Sequence, residues 1–229
     1  TYPIPIRPAM QQQIIPLFPL SIVVFPGHLV PLHIFEERYK KMIADCAGEE
    51  GRYEPFGISY ENDGDVAAIG CAVTVKRRAE ANAEGSFHII CRARRRYRIL
   101  QVYEDDAYLR GHVEFFDDDE DDEADPALQA LVKSRFRSLL DLAAKEAGAQ
   151  IVDGQGVQEE AARGLEEGDA WAIAPRMGLE AERKQGMLEM TSENARLQNL
   201  AEYLEELLPV LEARVERKKR AKSNGHAED

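Results

Sequence analysis

Residues 15–46, IPLFPLSIVVFPGHLVPLHIFEERYKKMIADC, decide the fold of this 229-residue chain. Their first half consists of apolar runs that are interrupted by Pro16, Pro19, Pro26 and Pro31. Because proline fixes φ and removes a backbone donor, it is tolerated in a sheet only at an edge or a bulge. We therefore expect the runs at 14–20 and 22–25 to be short strands near a sheet edge, not one continuous central strand.

The second half of the same stretch changes to helical spacing. Apolar residues recur there at helical intervals, which places them on one face of a helix. Acidic residues open the charged face, where the helix dipole favours them. The pattern predicts a short amphipathic helix that begins at or just after Ile34. Its apolar face contains Phe35, Tyr39, Met42, Ile43 and Cys46.

Strand patterns follow this helix at 54–61, 69–77, 87–102 and 108–116, with glycine-containing turns between them. So many short strands favour a closed or partly closed antiparallel barrel. Residues 117–125, DDDEDDEAD, then carry eight acids in nine positions. A run of like charges repels itself and stays hydrated, so this segment is predicted to be a solvated linker.

Helical patterns dominate the rest of the chain. Asp125 and Pro126 are typical of the N-cap and the first position of a helix. A leucine seam marks the last long helix, in which we expect a kink or break at Pro209. The predicted organisation is an extended arm at 1–13, a β subdomain at 14–116, the linker at 117–125, a helical subdomain at 126–215 and a polar tail at 216–229.

Composition restricts the function classes. The chain has 42 acidic and 29 basic residues, a net charge of −13, which argues against a nucleic-acid partner. The arginine cluster Arg92, Arg94, Arg95, Arg96 and Arg98 is expected to pair with surface acids, the alternative being a strip for an anionic ligand. No apolar run reaches the ~18–20 residues of a membrane span, and the start does not resemble a signal peptide. We therefore predict a cytoplasmic protein without a membrane partner.

Catalytic and metal-binding motifs are missing from the sequence. It contains no glycine-rich P-loop with its lysine and hydroxyl residue, no HExxH and no CxxC pair. Cys46, Cys71 and Cys91 lie within apolar patterns, and we expect them to be small buried thiols. We therefore predict no catalytic residue, no metal and no cofactor.

Two blocks of the sequence resemble the N-terminal, substrate-recognition domain of Lon proteases, a domain that also occurs alone in bacterial proteins. The first block contains FPL at 18–20, FPG at 25–27, PL at 31–32 and IFEERY at 34–39, and the second contains KQxxLEM from 184 and RLxxL from 196. The resemblance covers roughly residues 14–211. We expect a mainly structural role for the motif residues Phe18, Pro19, Leu20, Gly27, Pro31, Phe35, Glu36, Arg38, Tyr39, Lys184, Gln185, Leu188, Glu189, Arg196 and Leu197.

The resemblance implies an α+β fold, in which an N-terminal PUA-like antiparallel β pseudo-barrel with one packed helix precedes an all-helical C-terminal subdomain. It also implies a non-catalytic module that binds unfolded or partner polypeptides, including those of a protease system. Lon proteases contain an ATPase module and a Ser-Lys peptidase module as well, and this chain is expected to end before either begins. The alternative is a small-ligand-binding protein with a pocket between the barrel and the helices.

The turn after the first strand is the predicted contact site. Leu29 follows a Pro-Gly turn, where an apolar side chain is often exposed, and exposed apolar surface can recognise unfolded segments. The predicted polypeptide-binding residues are Phe25, Pro26, His28 and Leu29. The alternative is that Phe25 and Leu29 only cap the end of the barrel.

Overall fold

The computed structural model describes residues 11–104, 106–119, 122–147, 166 and 168–224. It divides the chain into two compact units. Among the described residues, the barrel unit consists of 11–117 and 179–189, and the helical unit consists of 118–178 and 190–224. The division differs from the expected one at 179–189, because this segment clusters with the strands although it lies within the predicted helical subdomain.

The barrel unit contains one six-stranded sheet. Its strands are β1 (Gln12–Leu20), β2 (Leu29–Ile34), β3 (Phe56–Asn62), β4 (Asp65–Arg78), β5 (Phe87–Tyr103) and β6 (Arg110–Phe116). Their order is β2-β5-β4-β3-β1-β6, and β5 also pairs with β6, so five strands close into a ring that β2 extends on one side. The α+β class and the predicted pseudo-barrel are therefore confirmed.

One pairing differs from the expected antiparallel arrangement, because β1 and β3 are parallel. Parallel neighbours need a long crossover connection, and here β2 and a helix lie between the two strands along the chain. The predicted glycine-containing turn between β3 and β4 has the sequence NDGD at 62–65. Asp63 and Gly64 both have positive φ there, as a tight hairpin requires.

Strand β1 corrects the prediction made from its prolines. It is nine residues long and lies between β3 and β6, away from any sheet edge. Residues 12–16 pair with β6, whereas residues 17–20 pair with β3. Each half of the strand therefore has its ladder on one side only, which leaves an unpaired side for the missing proline donors.

Helix α1 (Glu37–Asp45) packs its apolar face into the main core of the barrel unit. Tyr39, Met42 and Ile43 are buried, and the ring of Tyr39 lies 4.0 Å from that of Phe18, measured between centroids. Phe35 does not join this face and is 61% exposed. The helix begins two residues after Phe35, with Glu36 as its extended N-cap, so the predicted start is too early.

Further helices whose bounds the structure describes are α2 (Pro126–Ala147), α3 (Ala170–Ile173), α4 (Ala181–Glu189) and α5 (Glu193–Asn224), with 3₁₀ turns at Glu49–Gly51 and Ala174–Arg176. In the helical unit, α2 packs on α5, and Val132 and Phe136 are fully buried. Asp125 caps α2 as predicted, because its Oδ1 accepts a hydrogen bond of 2.8 Å from the amide of Ala127. Helix α5 continues through Pro209 without a break and reaches into the predicted polar tail.

Most of the arm predicted at 1–13 lies outside the described residues. Within the described part of the chain, no helix combines the length and the apolar character that are needed to cross a membrane.

Candidate functional site

A tight turn brings the predicted contact residues onto β5. Gly27 has a φ of 80°, a conformation that glycine adopts without a Cβ penalty. Its amide donates to the carbonyl oxygen of Ala93 over 3.2 Å, and the amide of Ala93 donates to the carbonyl oxygen of His28 over 2.9 Å. The turn thus continues the pairing of β2 with β5, and it makes Leu29 the first residue of β2.

The four predicted residues have different surroundings. Phe25 is only 1% exposed, so its ring is part of the interior. Pro26 and His28 are half-buried, whereas Leu29 is 37% exposed. Among these four, Leu29 is therefore the residue with a large apolar side chain at the surface.

An apolar and aromatic strip continues from Leu29 along β2. Exposed and buried residues alternate on this strand, with Leu29, Pro31 and His33 on the outer side. The His33 ring lies 4.5 Å from the stacked ring of His88 on β5 and 5.6 Å from the ring of Phe35. We call Leu29, Pro31, His33 and Phe35 the β2 strip.

An open depression of about 460 Å³ lies beside the β2 strip. Strands β2, β5 and β4 line it with Leu29, Ile90, Arg92, Lys76 and Arg77. Arg92 is the register partner of Leu29 on β2 and of Thr74 on β4. Its side chain therefore lies on the same outer face of the sheet as that of Leu29. The depression therefore has an apolar floor and a cationic rim.

Sequence reasoning did not find Lys76 and Arg77, because consecutive strand residues normally point to opposite faces of a sheet. The register of β4 against β5 shifts between Val75 and Arg77, which indicates a β-bulge. Lys76 is the residue without a register partner, and the bulge lets Lys76 and Arg77 line the same depression. A bulge of this kind depends on how two strands pair, and the local sequence carries no clear signal for it.

The arginines of β5 separate into different roles. Arg95 forms an exposed ion pair of 2.7 Å with Asp117, as predicted for the cluster. Arg96 differs from that prediction, because it is buried and its Nη1 donates to the carbonyl oxygen of Leu188 over 3.0 Å. Arg92 lines the depression, and like Lys76 and Arg77 it forms no ion pair with another residue that the structure describes.

The second motif block fastens α4 to the strands of the barrel unit. The side-chain amide of Gln185 donates through Nε2 to the carbonyl oxygen of Ile69 over 3.0 Å and to the carboxylate of Glu189 over 2.8 Å. Leu188 is buried and its carbonyl oxygen accepts from Arg96. These polar contacts join a helix and strands that are far apart in sequence, and they explain why 179–189 belongs with the barrel.

Arg196 is buried and forms the centre of an ion-pair cluster in the helical unit. Its guanidinium donates to both carboxylate oxygens of Asp118 and, over 2.8 Å, to the carboxylate of Glu193. The guanidinium also lies 4.0 Å from the ring centroid of Trp171. Asp118 belongs to the predicted solvated linker, so at least this acid has a specific partner. Burial raises the pKa of Glu193, although Arg196 acts in the opposite direction.

The other motif residues divide between core and surface. Phe18 and Tyr39 are buried, Pro19, Leu20 and Lys184 are half-buried, and Leu197 is fully buried. Glu36 and Arg38 form an ion pair of 2.8 Å at the start of α1. Pro31 and Phe35 are exposed and belong to the β2 strip, so these two motif residues face solvent.

Reactive groups do not cluster in the described residues. They include no set of three or more histidine, cysteine or acidic side chains placed to hold a metal ion. Cys46, Cys71 and Cys91 are buried, as predicted, and burial raises the pKa of each thiol to about 12. Such thiols stay protonated near neutral pH and are poor nucleophiles.

Comparisons with known proteins agree with this geometry. Residues 14–206 match the family model of the substrate-binding domain of ATP-dependent protease La (LON). A Lon N-terminal domain protein from Xanthomonas campestris is similar in structure, with a TM-score of 0.60, 26% sequence identity, and coverage of 82% of this chain and 96% of that chain. The N-terminal domain of the Mycobacterium avium complex Lon protease has the same TM-score at 20% identity, covering 84% of this chain and 98% of that chain, and it supports the fold alone. No curated protein matches the chain by sequence.

Proposed function

The chain belongs to the family of substrate-binding domains of ATP-dependent protease La (LON), and we propose that it is a non-catalytic module that binds polypeptides. Its ligands would be unfolded segments or partner proteins, including those that are delivered to a protease. The proposal does not assign ATPase or peptidase activity to the chain, because the matched region is a substrate-binding domain only.

The exposure of apolar side chains along the β2 strip is the main support for this proposal. Leu29 and Phe35 are large apolar side chains at the surface, and Pro31 lies between them on the same side of the strand. A polypeptide that covers them would remove apolar surface from water, which contributes about 25 cal/mol per Å². Phe25 takes part indirectly, since its burial supports the turn that presents Leu29.

The chemical setting is consistent with a polypeptide ligand in the cytoplasm. The three cysteines are free and buried, which suits a reducing compartment. The excess of acidic residues, 42 against 29, disfavours a nucleic-acid partner for the chain as a whole. Peptide recognition needs none of the catalytic motifs that the sequence lacks.

Binding of an unfolded protein tests the proposal. The probe is a fluorescently labelled protein that has been reduced and carbamidomethylated, and the readout is anisotropy. We expect the Leu29→Asp/Phe35→Asp variant to bind about tenfold more weakly than the native chain, because each change places a charge where apolar surface is to be buried. Val210→Asp is the matched control, since Val210 is an exposed apolar residue of α5 in the helical unit.

Three outcomes would count against the proposal. The native chain could show no affinity for the unfolded probe, which would reject polypeptide binding. The double variant could bind as tightly as the native chain, which would exclude the β2 strip as the site. An equal loss in Val210→Asp would show that added negative charge, and not position, weakens the complex.

A further inference from the structure

The charges beside Leu29 indicate which kind of polypeptide the chain would bind. The inference drawn from them rests on the proposed function. We propose that the depression lined by Leu29, Ile90, Lys76, Arg77 and Arg92 binds extended polypeptide segments in which acidic side chains neighbour an apolar one. The apolar side chain would cover Leu29 and Ile90, while carboxylates would bind the cationic rim.

The composition of the rim supports an acidic ligand. Acids outnumber bases 42 to 29 in the whole chain, yet the lining of the depression contains three cations and no acid. None of the three forms an ion pair with another described residue. Like charges that share a small site repel one another, and a bound carboxylate relieves that repulsion.

The bulge in β4 brings two of these charges to the same face of the sheet. A regular strand would direct Lys76 and Arg77 to opposite faces of the sheet, whereas the register shift after Val75 lets both reach the depression. Arg92 lies on the neighbouring strand β5, opposite Leu29, so cations from two strands line the depression together with the apolar residues Leu29 and Ile90.

The position of β2 favours an extended chain over a small anion. Among the described residues β2 pairs with β5 alone, so its other edge is not part of the sheet. The β2 strip runs along this edge from the depression to Phe35. A peptide that lies along β2 can therefore contact the depression and the strip at once, which a free carboxylate or phosphate cannot do.

Three probes test the proposal, two peptides of equal length and one RNA. The first is a labelled twelve-residue peptide in which serines separate alternating leucine and glutamate, the second replaces each glutamate by glutamine, and the third is a single-stranded RNA of equal charge. At 50 mM salt we expect the glutamate peptide to bind about three- to tenfold more tightly than the glutamine peptide, as a few solvent-exposed ion pairs would provide. The difference should shrink at 0.5 M salt, because salt screens exposed charges.

Arg77→Gln/Arg92→Gln is expected to bind both peptides equally, while Arg137→Gln, a change at an exposed arginine of α2, should keep the preference. Thermal melting verifies that the double variant is folded. If it is not folded, the Lys76→Gln variant is used in its place. Equal binding of both peptides to the native chain overturns the acidic preference but leaves the proposed function standing. Binding of neither peptide rejects both, and tighter binding of the RNA reassigns the rim to nucleic acid.

Discussion

The phenol of Tyr97 lies directly against the backbone of Gly57: a Cβ at position 57 would be 2.4 Å from the Tyr97 hydroxyl oxygen. Gly70 on β4 has the same relationship to this oxygen, also at 2.4 Å. The hydroxyl group lies 2.8 Å from Oγ of Ser59, and both side chains are buried. Glycine is therefore required at two strand positions so that one large ring can fill the inside of the barrel.

Replacing Gly57 by alanine should destabilise the barrel unit. The added methyl group has no space, and the neighbouring atoms are a buried ring that cannot move aside cheaply. Overpacking of this kind costs about 1–3 kcal/mol in the free energy of unfolding. Urea denaturation of Gly57→Ala against the native chain measures the loss.

Gly186→Ala is the matched control for this change. Gly186 lies inside α4, and a Cβ there would meet nothing within 4 Å. Because alanine is the better helix former, we expect a gain of about 0.5–1 kcal/mol. A destabilised Gly186→Ala, or an unchanged Gly57→Ala, would contradict this account of the two positions.

Asp118→Asn should destabilise the helical unit. It leaves the fully buried guanidinium of Arg196 with one carboxylate instead of two, and uncompensated buried charge is costly. We expect a loss of about 2 kcal/mol, measured by chemical denaturation followed by circular dichroism. Asp117→Asn, which removes the exposed ion pair with Arg95, should cost less than about 1 kcal/mol. Similar losses in both variants would mean that the buried cluster contributes no more than a surface pair.

The three thiols should be protected from modification in the folded chain. Cys46, Cys71 and Cys91 are buried, and the pKa of each is raised to about 12, so a thiol reagent at pH 8 should react slowly. Addition of denaturant should make three thiols per chain react. Fast reaction of any thiol without denaturant would show that its surroundings are open.

The same raised pKa values predict how stability depends on alkaline pH. The unfolded thiols lose their protons near the ordinary pKa of 9.0, whereas the folded thiols keep theirs until about 12. Their contribution is therefore complete below pH 9 and is lost as the pH rises from 9 towards 12. Urea midpoints at pH 8, 9 and 10 should fall in that order, and a flat series would contradict the assignment.

Tyr108→Phe should raise the pKa of the Asp45 carboxyl group. In the native chain, hydrogen bonds from Lys41 and from the Tyr108 hydroxyl, the latter of 2.7 Å, hold this pKa below its ordinary value of 3.8. A lowered carboxyl pKa gives stability that is present above the unfolded value and is lost as the pH falls towards the folded one. Carbon-detected NMR titration of Asp45 in both proteins measures the shift, and an identical midpoint would exclude a role for Tyr108.

Much of the fold could be predicted because its signals are local. The NDGD turn specifies a hairpin, the spacing of Tyr39, Met42 and Ile43 specifies a helical face, and Asp125 with Pro126 specifies a helix start. Each signal acts over a few residues, where propensity and capping decide the outcome. The exposure of Leu29 beside a turn was predicted from the same kind of signal and is confirmed, whereas its role in binding stays a prediction.

Features that depend on strand pairing could not be predicted in this way. The prolines of β1 indicated an edge, but the strand exchanges partners halfway and lies between two neighbours. Lys76 and Arg77 look like an ordinary charged pair until the bulge against β5 brings them together. Phe35 continues the helical spacing, yet the helix begins after it, and the ring joins the surface strip instead.

By itself, the sequence determined the kind of protein: an α+β chain with a β pseudo-barrel, an amphipathic first helix, buried thiols and two motif blocks of the Lon substrate-binding family. Periodicity, capping and turn chemistry are properties of neighbouring residues, so they can be read along the chain. Only the tertiary structure decided which charges surround Leu29, which partner each arginine has and which unit includes α4. These depend on contacts between residues that are tens of positions or more apart, and the register and packing that bring them together are set by the whole fold.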